Sequence, residues 1–116
     1  MTRTQALGRS GEDLAVDHLL GQGYTILDRN WRCSQGELDI VARDGATTVV
    51  VEVKTRSGSG FGHPLDAITP VKLARLRRLA AAWCEAHGGV ERLRVDAISV
   101  IADRHGVAID HVRQVC

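Results

Sequence analysis

The chain has 116 residues, a length that fits one domain around one core. Its 15 Lys and Arg nearly balance its 14 Asp and Glu, which excludes a general polycation and confines any nucleic-acid footprint to a local patch. Its aromatic residues are Tyr24, Trp31, Phe61 and Trp83, too few for a single-strand binder built on stacking platforms.

Cys33, Cys84 and Cys116 are far apart and odd in number. They suit neither a disulfide framework nor a zinc knuckle, and they point to a reducing cytoplasm. The opening residues lack the apolar centre of a secretory signal, and no apolar run is long enough to span a bilayer. The expectation is a cytoplasmic protein with no membrane partner.

Residues 1–8 are polar and read as a frayed terminus. Ser10 is a good helix N-cap, and Glu12 and Asp13 lie in the first turn, where the helix dipole favours acids. The helix should run to about Leu20 and stop at Gly21-Gln22-Gly23. Glu12, Ala15, Val16 and Leu19 share one stripe, which puts Glu12 at the rim of the buried face. A first-turn acid serving the dipole and an acid serving a site both fit that position. Tyr24 to Trp31 reads as a first strand ending in the polar Asp28-Arg29-Asn30, and Trp31 to Gln35 as a connector carrying Arg32 and Cys33.

Gly36 to Arg56 reads as two strands joined by a tight turn at Asp44-Gly45, both of which tolerate positive φ. Leu38, Ile40 and Ala42 alternate with Glu37, Asp39 and Val41. Val49, Val51 and Val53 alternate with Val50, Glu52 and Lys54, in a stretch dense in β-branched residues. A two-residue loop would set Asp39 opposite Val50, and a four-residue loop would set it opposite Glu52. Either register leaves Asp39 on the face of Glu52 and Lys54, whereas a three-residue loop would turn it to the other face.

Two carboxylates a few ångström apart repel when both are ionised, unless a cation lies between them. Mg²⁺ is commonly held by one or two carboxylates together with waters and substrate phosphate. A neighbouring lysine can orient a water and offset developing charge. A surface ion-pair ladder has the same spacing, so these residues alone leave both readings open.

Thr55 to Thr69 reads as a glycine-rich loop. It lacks the G-x-G-x-x-G spacing, because His63 holds the last position, and it lacks a Gly-Lys-Ser/Thr ending, so it is neither a dinucleotide fingerprint nor a P-loop. A flexible connector and a loop that closes over a substrate both fit. Thr69-Pro70 starts a second helix as cap and first-turn proline, and Gly88-Gly89 should end it near His87. Its apolar stripe is Leu76, Leu79, Ala80 and Trp83, with Lys72 on the same stripe one turn earlier. Arg75 and Arg78 should project from the opposite side and Arg77 from a flank. No acid lies between Asp66 and Glu85, so this half of the helix is a cationic patch, either a solvated face or a phosphate contact. Leu93 to Ile101 reads as a further strand with Val95, Ala97, Ser99 and Ile101 on one face and Asp96 on the other, as a strand-edge or turn carboxylate. Val107 to Val112 reads as a last, shorter strand.

The order is helix, three strands, helix, one or two strands. Its marks are Gly11-Glu12, Gly36-Glu37-Leu38-Asp39, Val51-Glu52-Val53-Lys54-Thr55-Arg56, Phe61-Gly62 and Lys72. They resemble the small bacterial YraN family and, in length and motif order, the archaeal Holliday-junction resolvases of the PD-(D/E)xK nuclease superfamily. The resemblance covers about Gly8 to Ile101. One departure is Leu38 before Asp39, where the superfamily motif has proline. The resemblance implies an α/β, restriction-endonuclease-like fold with a mixed, mostly antiparallel central sheet flanked by helices.

It also implies a Mg²⁺- or Mn²⁺-dependent nuclease acting on DNA phosphodiesters, including branched or damaged DNA. Asp39 and Glu52 would be metal ligands, joined by the backbone carbonyl of Val53. Lys54 would position the attacking water, and Glu12 would be the helix acid that helps hold a metal or water. Lys72 would fall near the site, and Arg56, Arg75, Arg77 and Arg78 would complete the contacts to nucleic acid. Resolvase-like relatives cut as dimers, so the analogy extends to a homodimer. Two other classes fit the same motifs: a nucleic-acid-binding module that keeps the site but does little chemistry within a complex, and a structural protein without affinity for nucleic acid.

Overall fold

The computed structural model describes residues 11–57, 69–103 and 106–115. The expected Ser10 cap, the frayed residues 1–8 and Phe61-Gly62 of the expected loop lie outside the described residues. The elements are α1 (Gly11–Gly21), β1 (Thr25–Cys33), β2 (Gly36–Asp44), β3 (Thr47–Ser57), α2 (Pro70–Ala86), β4 (Arg92–Asp103) and β5 (Gly106–Val112). The strands form one sheet in the order β1-β2-β3-β4-β5. Only β3 and β4 pair in parallel, as a connection through a helix allows. The other three pairings are antiparallel, so the sheet is the mixed, mostly antiparallel one expected.

Two apolar clusters sandwich the sheet. On one face Ala15 and Leu19 of α1 pack with Ile40, Ala42, Val49, Val51, Ile98 and Val100. On the other, Leu76, Leu79, Ala80 and Trp83 of α2 pack with Leu38, Val41, Val50 and Val95. The valine run of β3 therefore serves both faces, each buried side chain contributing about 1.5–3 kcal/mol. Gly11 sits so close to β3 that a Cβ built on it would overlap the Thr55 side chain.

Local chemistry sets most boundaries. The Thr69 side chain accepts from the Lys72 N–H at 3.2 Å, Pro70 opens α2, and Gly88, at φ 83°, follows its end. The hairpin between β2 and β3 closes at Gly45-Ala46, one residue later than Asp44-Gly45, because Asp44 pairs with Thr47. Gly45 takes φ 60° at the first turn position, where a II′ turn needs it. Two expected boundaries change. Trp31 to Cys33 is strand and not connector, since Arg32 and Cys33 pair with Glu37 and Gly36. Thr55 to Ser57 is strand and not loop, because β3 stays paired with β4 as far as Ser57 and Ala102.

Asp96 is a correction of a different kind. It is fully buried and not an edge or turn carboxylate. Its Oδ1 accepts from Arg94 Nε at 2.8 Å and from the Gln114 N–H at 2.9 Å. Its Oδ2 accepts from His111 Nε2 at 2.8 Å and from Arg94 at 3.1 Å. Arg94 also donates to the Tyr24 hydroxyl and to Asp44. An ionised carboxylate only accepts, so His111 donates through Nε2, while its Nδ1 is hydrogen-bonded with His18 Nε2 at 3.1 Å. The network ties α1 to β4, β5 and the C-terminal segment.

Candidate metal centre and nucleic-acid face

The site begins where β2 leaves β3. Their paired residues run from Asp44 and Thr47 to Ile40 and Val51. Continued one step, that register sets Asp39 against Glu52, as the longer of the two expected loops would have done. The paired positions stop there. Beyond this point β2 stays with β1 as far as Gly36 and Cys33, and β3 stays with β4. The two strands are unpaired there, a parting, the cleft, that Asp39 bridges at its apex by accepting the Val53 N–H on Oδ2 at 2.9 Å. A side chain thus takes up a β3 donor beyond the last paired residues.

The pleat also breaks at Asp39. Leu38 and Ile40, two residues apart, should share a face, yet they lie in opposite clusters. Facing this break across β1 is Asn30, held at φ 53°, a conformation that Asn tolerates better than most residues. The Asn30 amide donates to Glu12 Oε1 at 3.0 Å, and Arg29 Nε donates to the same oxygen at 3.2 Å. Arg29 also reaches Asp13 at 2.7 Å. Glu12 therefore stands at the rim, as its helix position predicts, and is held by two residues of β1.

The charges crowd. Burial raises Glu52, and the nearby Asp39 raises it further, to about 7 despite the opposing Arg75, Lys72 and Lys54. Burial also raises Asp39, against the pull of the Val53 N–H, and Glu12 and Glu37 add to the rise. Each acid thus feels the next, which places Glu12, Asp39 and Glu52 in one electrostatic neighbourhood. Lys54 lies two residues beyond Glu52 on the same side of β3 and is exposed. Val53 pairs with Ile98 and packs its side chain on the α1 cluster.

Among the described residues, no three His, Cys, Asp or Glu side chains are gathered into a group that could hold a metal ion as they stand. The donor set nevertheless fits a hard cation in part. Asp39 and Glu52 offer oxygen at the cleft, and their raised affinity for protons is what a divalent cation would replace. Glu12, the third acid, is turned to Arg29 and Asn30.

The basic residues divide. Arg75 was expected on the side of α2 away from its apolar stripe. Its charge instead counts most among the cations acting on Glu52, ahead of Lys72 and Lys54. The reason is that Arg75 flanks the stripe one turn before Leu79 and does not lie opposite it. Arg77 and Arg78 are exposed on the outer side of α2, and Arg56 lies partly buried on the Glu52 side of β3. Sequence reasoning missed Arg29 and Asn30. Their signal was three successive polar residues, Asp28-Arg29-Asn30, inside a strand that otherwise alternates.

Among the described residues, no helix is long and apolar enough to cross a membrane. The family described as "Uncharacterised protein family UPF0102" matches residues 11–100. A UPF0102 protein of Clavibacter michiganensis is 51% identical over 118 residues, covering 100% of both chains. One from Paenarthrobacter aurescens is 52% identical over 120 residues, covering 100% of this chain and 98% of its own. One from Leifsonia xyli is 54% identical over 102 residues, covering 87% of this chain and 86% of its own. The matched stretch contains Glu12, Asp39, Glu52, Lys54 and Lys72.

Proposed function

We propose that this chain, which belongs to the UPF0102 family, is a Mg²⁺- or Mn²⁺-dependent nuclease that hydrolyses DNA phosphodiesters. The observation that carries this reading is the pair of acids at the cleft apex. Asp39 and Glu52 are drawn together where the strands part, both above their usual pKa range, with a lysine two residues on and a cationic helix flank alongside. A structural ion-pair ladder would hold its acids below that range, because opposite charges favour the ionised form.

In this reading Asp39 and Glu52, with the Val53 carbonyl, would hold the cation, and Glu12 stands at the rim, held by Arg29 and Asn30. A bound divalent ion supplies a water of lowered pKa and neutralises charge on the scissile phosphate. Lys54 orients that water and donates to the phosphoryl oxygens as charge develops. Lys72 and Arg75 receive the backbone phosphates beside the cleft, while Arg77 and Arg78 extend the contact along α2, and Arg56 along β3. One observation favours a second reading, a nucleic-acid-binding module with little chemistry: Glu12 is already engaged by Arg29 and Asn30.

Single-turnover cutting of a four-way junction, a flap and a plain duplex, each with Mg²⁺ and with Mn²⁺, separates the two. Lys54→Met keeps most of the stem and removes the ammonium. It is expected to leave folding and DNA binding intact and to slow cleavage by about two orders of magnitude or more, the scale for losing one transition-state donor. Tight binding with no cutting of any substrate by the wild type would establish the binding module instead. Cutting that survives both Lys54→Met and Asp39→Ala would belong to a contaminant.

A further inference from the structure

Three facts converge on Arg29. It sits on β1 opposite Ile40, next to the point where the β2 pleat breaks. Its guanidinium spans two acids of the first turn of α1, with Nε on Glu12 and an NH₂ group on Asp13. The Glu12 oxygen it holds is shared with Asn30, which lies between the pairs Arg29–Ile40 and Trp31–Leu38 and so stands against Asp39. The first turn of α1 is further fixed by the tight seat of Gly11 on Thr55, so the backbone of Glu12 has little freedom. Only its side chain can choose between β1 and the cleft.

We propose that Arg29 competes with the divalent cation for Glu12, and so sets how tightly the cleft binds metal. This rests on the metal-dependent reading above. Without metal, Arg29 and Asn30 share Glu12 Oε1, and the third acid is held against β1. With metal present, Glu12 would have two competing partners, Arg29 and a cation in the cleft, and binding of the cation would cost the Arg29 contact. Asp13 then keeps the guanidinium in place, since that contact, at 2.7 Å, does not depend on Glu12. Arg29 is a positioning residue here. It touches neither the cation nor the reacting atoms, and acts through the acid it restrains. The contacts are partly exposed, with Arg29 at 38% and Glu12 at 21%, so the restraint is of the modest size that a cation can overcome.

The test is calorimetric titration with Mn²⁺ alone, without nucleic acid, on four proteins: wild type, Arg29→Met, Glu12→Gln and the double variant. Arg29→Met is expected to bind Mn²⁺ roughly two- to fivefold more tightly than wild type, the range that losing a partly exposed ion pair allows. That gain should vanish in the Glu12→Gln background, which a merely structural effect of Arg29 would not require. Arg29→Gln carries the same measurement should Arg29→Met fail to fold. Unchanged or weaker binding by the Arg29 variants, or a gain that persists without Glu12, overturns the proposal. If wild type still takes up Mn²⁺ and Asp39→Ala does not, the metal-site reading survives that failure. If wild type takes up none, both fall together.

Discussion

Asp96 and Glu52 lie one step apart on neighbouring parallel strands, where Asp96 pairs with Val51 and Glu52 with Ala97. Asp96 is the more deeply buried, yet the two titrate in opposite directions. Burial pushes Asp96 up, but hydrogen bonds from His111, Arg94 and the Gln114 N–H outweigh it and hold the carboxyl below its ordinary range. At Glu52 burial and Asp39 act together, and the cations along the cleft offset them only in part. Burial alone therefore does not set the direction in which an acid shifts. What distinguishes these two is whether the chain supplies the partners. Around Asp96 four donors converge from three segments. At Glu52 the charge that acts most strongly is another carboxylate, Asp39, and the strands part where a further rung would have stood.

If that contrast is right, damage at the two acids should look different. The largest effect is expected at Asp96. Asp96→Ala leaves Arg94 partly buried beside an empty position and releases the Gln114 N–H. The fold should lose about 3–5 kcal/mol in urea unfolding, the usual cost of breaking a buried pair from one side. A loss below about 1 kcal/mol would mean that the network is ornamental and that the contrast fails.

Glu52 should behave with the opposite sign. Its folded pKa of about 7 exceeds the model-peptide value of 4.5, so the folded chain binds its proton more tightly than the unfolded chain does. The associated stability is fully present below pH 4.5 and is lost as pH rises through about 7. In chelator, Glu52→Gln is therefore expected to be more stable than wild type by about 1–3 kcal/mol at pH 8, and no more stable below pH 4.5. Urea midpoints at the two pH values check this. A variant less stable than wild type at pH 8 would show that Glu52 is satisfied in the fold.

The smallest effect sharpens the cleft itself. Arg75→Glu and Arg78→Glu should each lower the salt slope of DNA binding by about one unit for every phosphate that the variant no longer engages. Only Arg75→Glu should also move the Glu52 titration to higher pH, because Arg75 is the foremost cation opposing its rise. Carboxyl-carbon NMR of both variants reads this directly. An equal shift in both would show that Arg78 acts on Glu52 as well.

How much of this the sequence disclosed follows from how local each signal was. The hairpin of β2 and β3 was legible because alternation and a turn glycine occupy one short stretch. The second helix was legible from Thr69-Pro70 at one end and Gly88-Gly89 at the other. Asp39, Glu52 and Lys54 were brought into view by the same alternation. The Asp96 network was not, because Tyr24, Arg94, His111 and Gln114 meet only once β4 has paired with β3 and β5 with β4. No local pattern states those pairings. Asn30 was hidden for another reason. A left-handed residue inside a strand contradicts the alternation used to find the strand, so the rule that located β1 smoothed over the position where its backbone leaves the extended region. Arg75 was misplaced because a two-sided picture of a helix has no flank.

The seat of Gly11 on Thr55 gives the molecule a tolerance narrower than one carbon atom. Helix and strand meet there backbone to side chain, with no intervening group to absorb error. Glu12 is the next residue, so its distance from the cleft is gauged by that seam before any rotamer is chosen. Gly11 acts as a shim of zero thickness. A chain that thickened it by a methyl group would keep its sheet, both apolar clusters and the acids of β2 and β3. It would still have lifted its third acid away from the other two.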